Sequence, residues 1–509
     1  MKFPERQAEL GAVDAIEVEQ IANAQSSLPI KYDGNGNPLE PQPSADPHDP
    51  LNLPSWQKWP LMAVLAYWSF IGTMNLIIVG PSFFELAENY HVSFTALAYT
   101  INGPLLAYGF GCLFWVPFSN VWGIRVSFLV ATLGAAGFSI WAAVAPSFEE
   151  FVAARVLSSF FYSSPEALGP QIVADVFYLH QRATVTGIFT FFQFVGFSIA
   201  GLIGGFATLN LGWRAPSWIM VGLTFGAFIA IFFLLPETTY TRAGHFKPGE
   251  KRRIIDSLRL WSASGGGNSK VKKPLNAFKY PWFYAVHPIV ICNTIFFSLV
   301  LATNDYMLTT SSTSFTFQYN FSLSDVALTS IAPTIGTCLG IIYGGVCNDK
   351  YVSWQRKRAG GTFVPEMRLP MLILTAVFGP AGLIMFGCAT QSRTHWIVPL
   401  FGELLMSFTI VVDGNIMYAY LVDTYLERAD TALVLLNGLK NLSAFALVYS
   451  TNPWNTSSGY AISFGCLAVI VFVCHLPMLL LYVKGRSIRE WQLSKFVSAR
   501  SKAHGEGFN

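Results

Sequence analysis

Between residues 60 and 483 the chain turns apolar repeatedly, for about 20 residues at a stretch. That is the length a helix needs to cross a bilayer core of about 30 Å. Inside lipid a segment must satisfy its own backbone hydrogen bonds, so each run is expected to be a membrane-spanning helix. The runs and their polar breaks predict spans near 60–84, 96–118, 123–145, 149–173, 182–208 and 213–235. After a polar interval they resume at 283–308, 324–347, 368–390, 396–421, 429–451 and 458–483. The fold class expected is an all-α integral membrane protein, twelve transmembrane helices in two six-helix halves. Its expected parts are a polar tail 1–58, halves at 59–235 and 283–483, a linker 236–282 and a C-terminal tail 484–509.

Composition agrees. The chain is 52% hydrophobic and 12% charged, against about 25% charged in a soluble domain. A net charge of +3 is too small to call for nucleic acid. The seven cysteines lie in or at the ends of apolar runs without metal-ligand spacing, which makes them packing residues. No cleavable leader precedes the first run, so that span is expected to act as a retained signal anchor.

Orientation follows from Lys and Arg. The 236–282 interval has ten of them, the 348–368 loop has Lys350, Arg356, Lys357, Arg358 and Arg368, and the C-terminal tail is also basic. The loops on the other side carry essentially Arg393. Both termini and the linker are therefore expected in the cytosol, and the sequons at Asn320 and Asn455 on the outer side, where glycosylation is possible. The sequon at Asn441 falls inside a span. Each half is expected to make a Gly-containing turn at the cytosolic end of its second span, GCLFWVPFSNVWGIR at 111–125 and GGVCNDKYVSWQRKR at 344–358. Repeated halves of this kind place a substrate site near the midplane between them.

Several stretches together resemble the major facilitator superfamily, and more narrowly its fungal twelve-span drug:proton antiporters. They are DPHDPLNLPSWQKW at 46–59, SPEALGPQIVADVFYLHQRATVTGIF at 164–189, NLGWRAPSW at 210–218, GGTFVPEMRLP at 360–370 and YLVDTYLERADTALVLLNGLKN at 420–441. The last two resemble a branch holding both secondary-metabolite exporters and polyamine or cation transporters. The resemblance implies a conformational motif after the second span. Here only Gly123 and Arg125 of it remain, with Asn120 in the usual Asp position, while the second half has Gly345, Asp349 and Lys350. It implies a fifth-span antiporter motif, of which Gly201, Gly204 and Gly205 are present without the proline. The fourth-span arginine is Arg155.

Ionisable residues inside spans are costly and usually face the bundle interior or a water-filled cavity. In the fourth span Arg155, Ser159, Tyr162 and Glu166 recur at helical spacing, which sets them on one face as a candidate cargo and proton pathway. The stretch LVLLNGLKNLSAFALVYS at 433–450 carries Lys440 near its middle, flanked by Asn437 and Asn441. At about 1.5 Å per residue, Glu403 lies about 11 Å below the outer edge and Lys440 about 16 Å above the inner one, so the depths nearly coincide. Glu403 is therefore the expected partner of Lys440, with Asn437 and Asn441 assisting. Asp413 lies deeper. In the seventh span Asn293 and Asn304 share a face, whereas Asp305 reads as an interfacial residue near the outer rim.

No Gly-x-x-x-x-Gly-Lys-Ser/Thr motif is present, and no metal-ligand or nucleophile–base constellation stands out, so neither a cofactor nor an enzyme activity is expected. The remaining energy source is an ion gradient, coupled through a carboxylate that binds and releases a proton. Glu166 is the first candidate, then Asp413 and Glu403. The function expected is a proton-coupled exporter of small organic molecules, with protons, cargo and lipid as partners and a monomeric chain in the plasma or vacuolar membrane. Uptake of polyamines or organic cations is the alternative, and a non-transporting ligand sensor the third.

Overall fold

The computed structural model describes residues 42–43, 49–238, 287–359, 363–425 and 429–505. Most of the expected linker and of the N-terminal tail, and residues 506–509 of the C-terminal tail, fall outside the described residues. Eleven described helical stretches are long and apolar enough to cross a membrane. In the first half they are Ser55–Tyr90, Tyr99–Trp122, Ile124–Val144, Thr184–Leu211 and Ala215–Leu234. In the second they are Pro288–Tyr319, Leu323–Arg358, Pro365–Ser392, Ile397–Tyr425, Ala432–Tyr449 and Tyr460–Arg489. The twelfth crossing is the fourth in sequence, formed by two helices, Phe148–Tyr162 and Ser164–Val176. Pro165 at the second position of the lower helix has no N–H to continue the ladder, so the helix breaks at Ser163. Among the described residues there is no strand.

Turns between spans are set by single residues. Gly123, at φ 92°, ends the second span and starts the third, a backbone shape open to glycine. Gly212, at φ 85°, does the same between the fifth and sixth. Ser147 caps the fourth span by accepting from the Glu150 N–H at 3.3 Å. Ser322 and Asp325 form a capping box on the eighth.

Two hydrophobic cores result, one filled by residues such as Trp68, Trp115, Phe128 and Phe151, the other by Phe296, Phe386, Met406 and Phe464. They meet along two seams. In one, the second span packs on the eleventh, where a Cβ at Gly109 would lie 3.2 Å from the Gly438 carbonyl oxygen. In the other, the fifth packs on the eighth, where Gly201 and Gly205 face Ser330 and Ala327 with no room for a methyl, and Ser198 bonds Thr337 at 2.8 Å. Gly204 turns instead to the first span, against the Ile78 carbonyl.

Three expectations change here. The seventh span runs to Tyr319 rather than 308, so Asp305 sits well inside it and is buried. The second-half stretch 344–358 makes no turn: helix continues to Arg358 through a π-helical segment, Ile342–Cys347. Close packing there falls on Gly344, whose Cβ would lie 2.9 Å from Val412 Cα, while a Cβ at Gly345 meets nothing within 4 Å. The last helix extends to Gly505, past the expected end at 483.

Candidate functional site

Lys440, in the eleventh span, is buried, and its Nζ lies 2.7 Å from Glu166 Oε1. Glu166 belongs to the lower helix of the broken fourth span, so the ion pair joins the two halves. Lys440 also donates to Tyr418 Oη of the tenth span at 2.7 Å, and that hydroxyl bonds Asn437 Oδ1. Asn437 Nδ2 donates to the Glu166 backbone carbonyl at 3.0 Å, and Asn441 Nδ2 lies 3.3 Å from Glu166 Oε1. Asn437, Lys440 and Asn441 share one helix face, so a single turn of the eleventh span supplies the amine and both amides. The Phe297 ring covers the amine from the seventh span, 5.1 Å from its centroid. Asp305 lies within electrostatic range of both members of the pair and receives Asn304 Nδ2 at 3.4 Å.

The expected Glu403–Lys440 pair does not form. Glu403 precedes Tyr418 by 15 residues, about 22 Å along the same helix, beyond any reach of an amine bonded to Tyr418. It is buried instead with Ser311 of the seventh span beside it. Matching depths from opposite faces of the bilayer failed because the tenth helix, Ile397–Tyr425, has 29 residues and is about 43 Å long, well beyond the core of about 30 Å on which the depths were matched. Counted from the basic ends of the observed helices, Val176 and Ala429, Glu166 is about 15 Å and Lys440 about 16 Å deep; the expected end at 173 sets Glu166 at about 10 Å.

The four-residue stripe of the fourth span also divides, because the break at Ser163 redirects its lower part. Arg155 donates to the backbone carbonyls of Thr100 (3.1 Å), Asn75 (2.9 Å) and Leu76 (3.3 Å). Ser159 accepts from Asn75 Nδ2 at 2.8 Å. Tyr162 turns into its own half, between Ser139 at 2.9 Å and Thr224. Only Glu166 reaches the other half. Asn293 bonds its own helix at Ile289, 2.7 Å away. Asp413 faces His475, with Oδ2 and Nε2 3.5 Å apart.

At the basic end, Glu237 after the sixth span accepts the N–H groups of Ile124 (3.1 Å) and Arg125 (3.2 Å), occupying the N-terminus of the third span. Arg125 is buried and donates to the Phe232 carbonyl at 2.7 Å. In the second half Arg368 bridges Asp349 and Asp423, each at 2.7 Å, while Lys350 is exposed. Of the two sequons, Asn320 is exposed. Asn455 is not: its oxygen receives Tyr306 and Ser463, each at 2.7 Å, and its nitrogen donates to Thr310 at 3.2 Å. In the folded chain that amide is buried and its bonds are taken, so Asn455 is not the accessible outer sequon that was expected.

Taken together, the helical bundle with two cores and a charged pair buried at their junction defines a multi-pass membrane carrier. The family model described as Major Facilitator Superfamily matches residues 65–448, and the chain belongs to that family of transporters. Among its relatives is Protein HOL1 of Saccharomyces cerevisiae, 24% identical, covering 91% of this chain and 92% of that one. The efflux pump FUBT of Fusarium oxysporum is 27% identical, covering 92% and 80%. The MFS-type transporter tndD of Aspergillus flavipes is 26% identical, covering 84% and 81%. The crystal structure of the human organic anion transporter MFSD10 (TETRAN) matches in fold with a TM-score of 0.58 at 16% identity, over 84% of this chain and 100% of that one.

Proposed function

We propose that this chain is a proton-coupled exporter of small organic molecules, with Glu166 and Lys440 as its coupling pair. The observation that carries the reading is the 2.7 Å contact between them, buried and shared between the two halves. Separating the halves at this level strands one charge on each side, and breaking a buried pair costs about 3–5 kcal/mol. A proton on Glu166 removes the carboxylate's half of that cost, while Asp305 still acts on the amine electrostatically. Proton binding and opening of the site are thereby linked. The aromatic wall of Phe297 and Tyr418 suits an amphipathic cargo. So does a crevice of about 280 Å³ between the halves at the far end from the basic loops, lined by Phe83, Phe84, Phe317 and Phe321. Relatives named as efflux pumps agree with export.

One observation favours the second reading, uptake of organic cations. Glu166 and Asp305 set two carboxylates against the single amine of Lys440, which leaves room for one positive charge from the cargo. In either reading the basic ends face the cytosol and the plasma membrane is the place of residence.

The test is gradient-driven flux in vesicles, wild type beside Glu166→Gln, with spermidine and a set of hydrophobic toxins as cargo. Flux driven by the proton gradient and lost in Glu166→Gln is expected, and the cargo moved decides between the readings. Full gradient-dependent flux in Glu166→Gln would remove the pair from coupling.

A further inference from the structure

A second buried pair lies apart from the central one. His475 of the twelfth span sets Nδ1 2.8 Å from the Val471 carbonyl oxygen, which only accepts, so Nδ1 carries a hydrogen. Its Nε2 faces Thr375 Oγ1 of the ninth span at 3.2 Å and Asp413 Oδ2 of the tenth at 3.5 Å. The Phe296 ring closes the fourth side from the seventh span, 4.8 Å away and edge-on. Both side chains are buried, and among the described residues neither Asp413 oxygen has a hydrogen-bond donor; His475 Nε2, 3.5 Å from Oδ2, is the charged-pair contact it has. Asp413 is the charged group that acts on His475; the ninth span brings a hydroxyl and the seventh an aromatic ring.

An ionised carboxylate buried without any donor is costly enough that such a group takes up a proton instead. Oδ2 and Nε2 face each other, so one proton can be held on either atom. If it sits on Nε2, the pair is carboxylate and imidazolium, with Thr375 accepting while its own hydrogen goes to the Leu372 carbonyl at 2.9 Å. If it sits on Oδ2, the pair is neutral acid and neutral ring. Removing that proton leaves a bare anion in the bundle.

We propose that Asp413 and His475 form a second proton-binding site, on the opposite side of the seventh and tenth spans from the Glu166–Lys440 pair and mechanically joined to it through them. Neighbouring rings of the seventh span divide between the two sites: Phe296 lies on His475, and Phe297 on Lys440 and Tyr418. On the tenth span Asp413 and Tyr418 are five residues apart, about 7.5 Å along the axis and on different faces. A change in proton occupancy at one site alters the packing of the same two helices that form the other.

The experiment compares melting of the full chain in detergent micelles from about pH 5 to pH 8, the range over which histidine sites change charge. Wild type is set beside the near-isosteric double variant Asp413→Asn/His475→Gln. One proton gained or lost with unfolding changes the folding equilibrium by up to about tenfold per pH unit. The pH dependence of wild type is expected to differ from that of the double variant by an amount of that order. Every other titrating group is common to both chains. Should the double variant not fold, Asp413→Asn alone is expected to show the same difference. Superimposable pH curves for wild type and either variant would overturn the proposal. Melting requires no transport, so this result stands apart from the fate of Glu166→Gln in the flux assay.

Discussion

Lys440 and Arg155 are both buried cations in a lipid-embedded bundle, yet they are held in different ways. Lys440 meets a carboxylate and a phenol, and the carboxylate comes from the other half. Arg155 meets three backbone carbonyls from the first and second spans of its own half. Carbonyl oxygens cannot be protonated at physiological pH and do not leave their helices, so Arg155 is a fixed brace. A carboxylate can be neutralised, and under the proposed function its helix belongs to a half that moves relative to the amine. The same charge in the same membrane is therefore structural in one place and switchable in the other, according to what neutralises it.

The largest effect expected of breaking this contrast is at Lys440. Lys440→Met leaves Glu166 buried without its cation, a loss of about 3–5 kcal/mol. The double variant Glu166→Gln/Lys440→Met is expected to recover most of the stability while gradient-driven flux stays absent. Detergent melting of the two variants checks this, and equal melting would mean that the two charges do not form one unit. Arg155→Lys comes next. It keeps the charge but gives up the planar fork that reaches carbonyls on two helices. A loss of about 1.5–3 kcal/mol is expected, the worth of a hydrogen bond to a charged group. Coupling should persist, so a flux that no longer depends on the proton gradient in Arg155→Lys would place Arg155 with Lys440 after all.

The smallest effects concern the basic ends, where the halves again differ. The first half is fastened by Glu237 on backbone N–H groups around Gly123, the second by Arg368 between Asp349 and Asp423. A methyl at Gly123 would need φ 92° and would lie 2.7 Å from the Glu237 carboxylate. Glu237→Gln is expected to lower stability by about 0.5–2 kcal/mol, as for loss of a helix cap. Asp349→Asn is expected to cost about 0.2–1 kcal/mol, because Asp349 is 52% exposed and its pairing is screened. High salt should erase the second effect and leave much of the first, which melting with and without salt will read.

What the sequence left undecided has a physical pattern. Asp305 read as interfacial because the residues after it, TTSSTSFTFQY, are rich in hydroxyls. In the structure Thr310, Thr313 and Thr316 bond their own helix, at the Tyr306, Thr310 and Ser312 carbonyls, each at 2.9 Å. Several residues of the run are buried, so a polar run continues the span. The fourth span was legible as a crossing, but its polar stripe was drawn on a straight helix, and Pro165 bends the argument as well as the chain. Asn455 matched a sequon by spelling, while the amide itself is spent on Tyr306, Ser463 and Thr310.

The sequence by itself determined that this is a helical membrane protein, roughly where each span lies, and which buried charges need partners. Those facts are local. A helix in lipid closes its hydrogen bonds within about four residues, and the cost of an intramembrane charge follows from its position along its own span. Which partner each charge takes was decided only by the tertiary structure. Glu166 meets Lys440 because a broken helix in one half lies against the eleventh span in the other. Asp413 meets His475 because the tenth and twelfth spans both pack on the seventh and ninth within one half. Side-by-side placement of helices depends on the shapes of every face at once, and no spacing along a single segment records it.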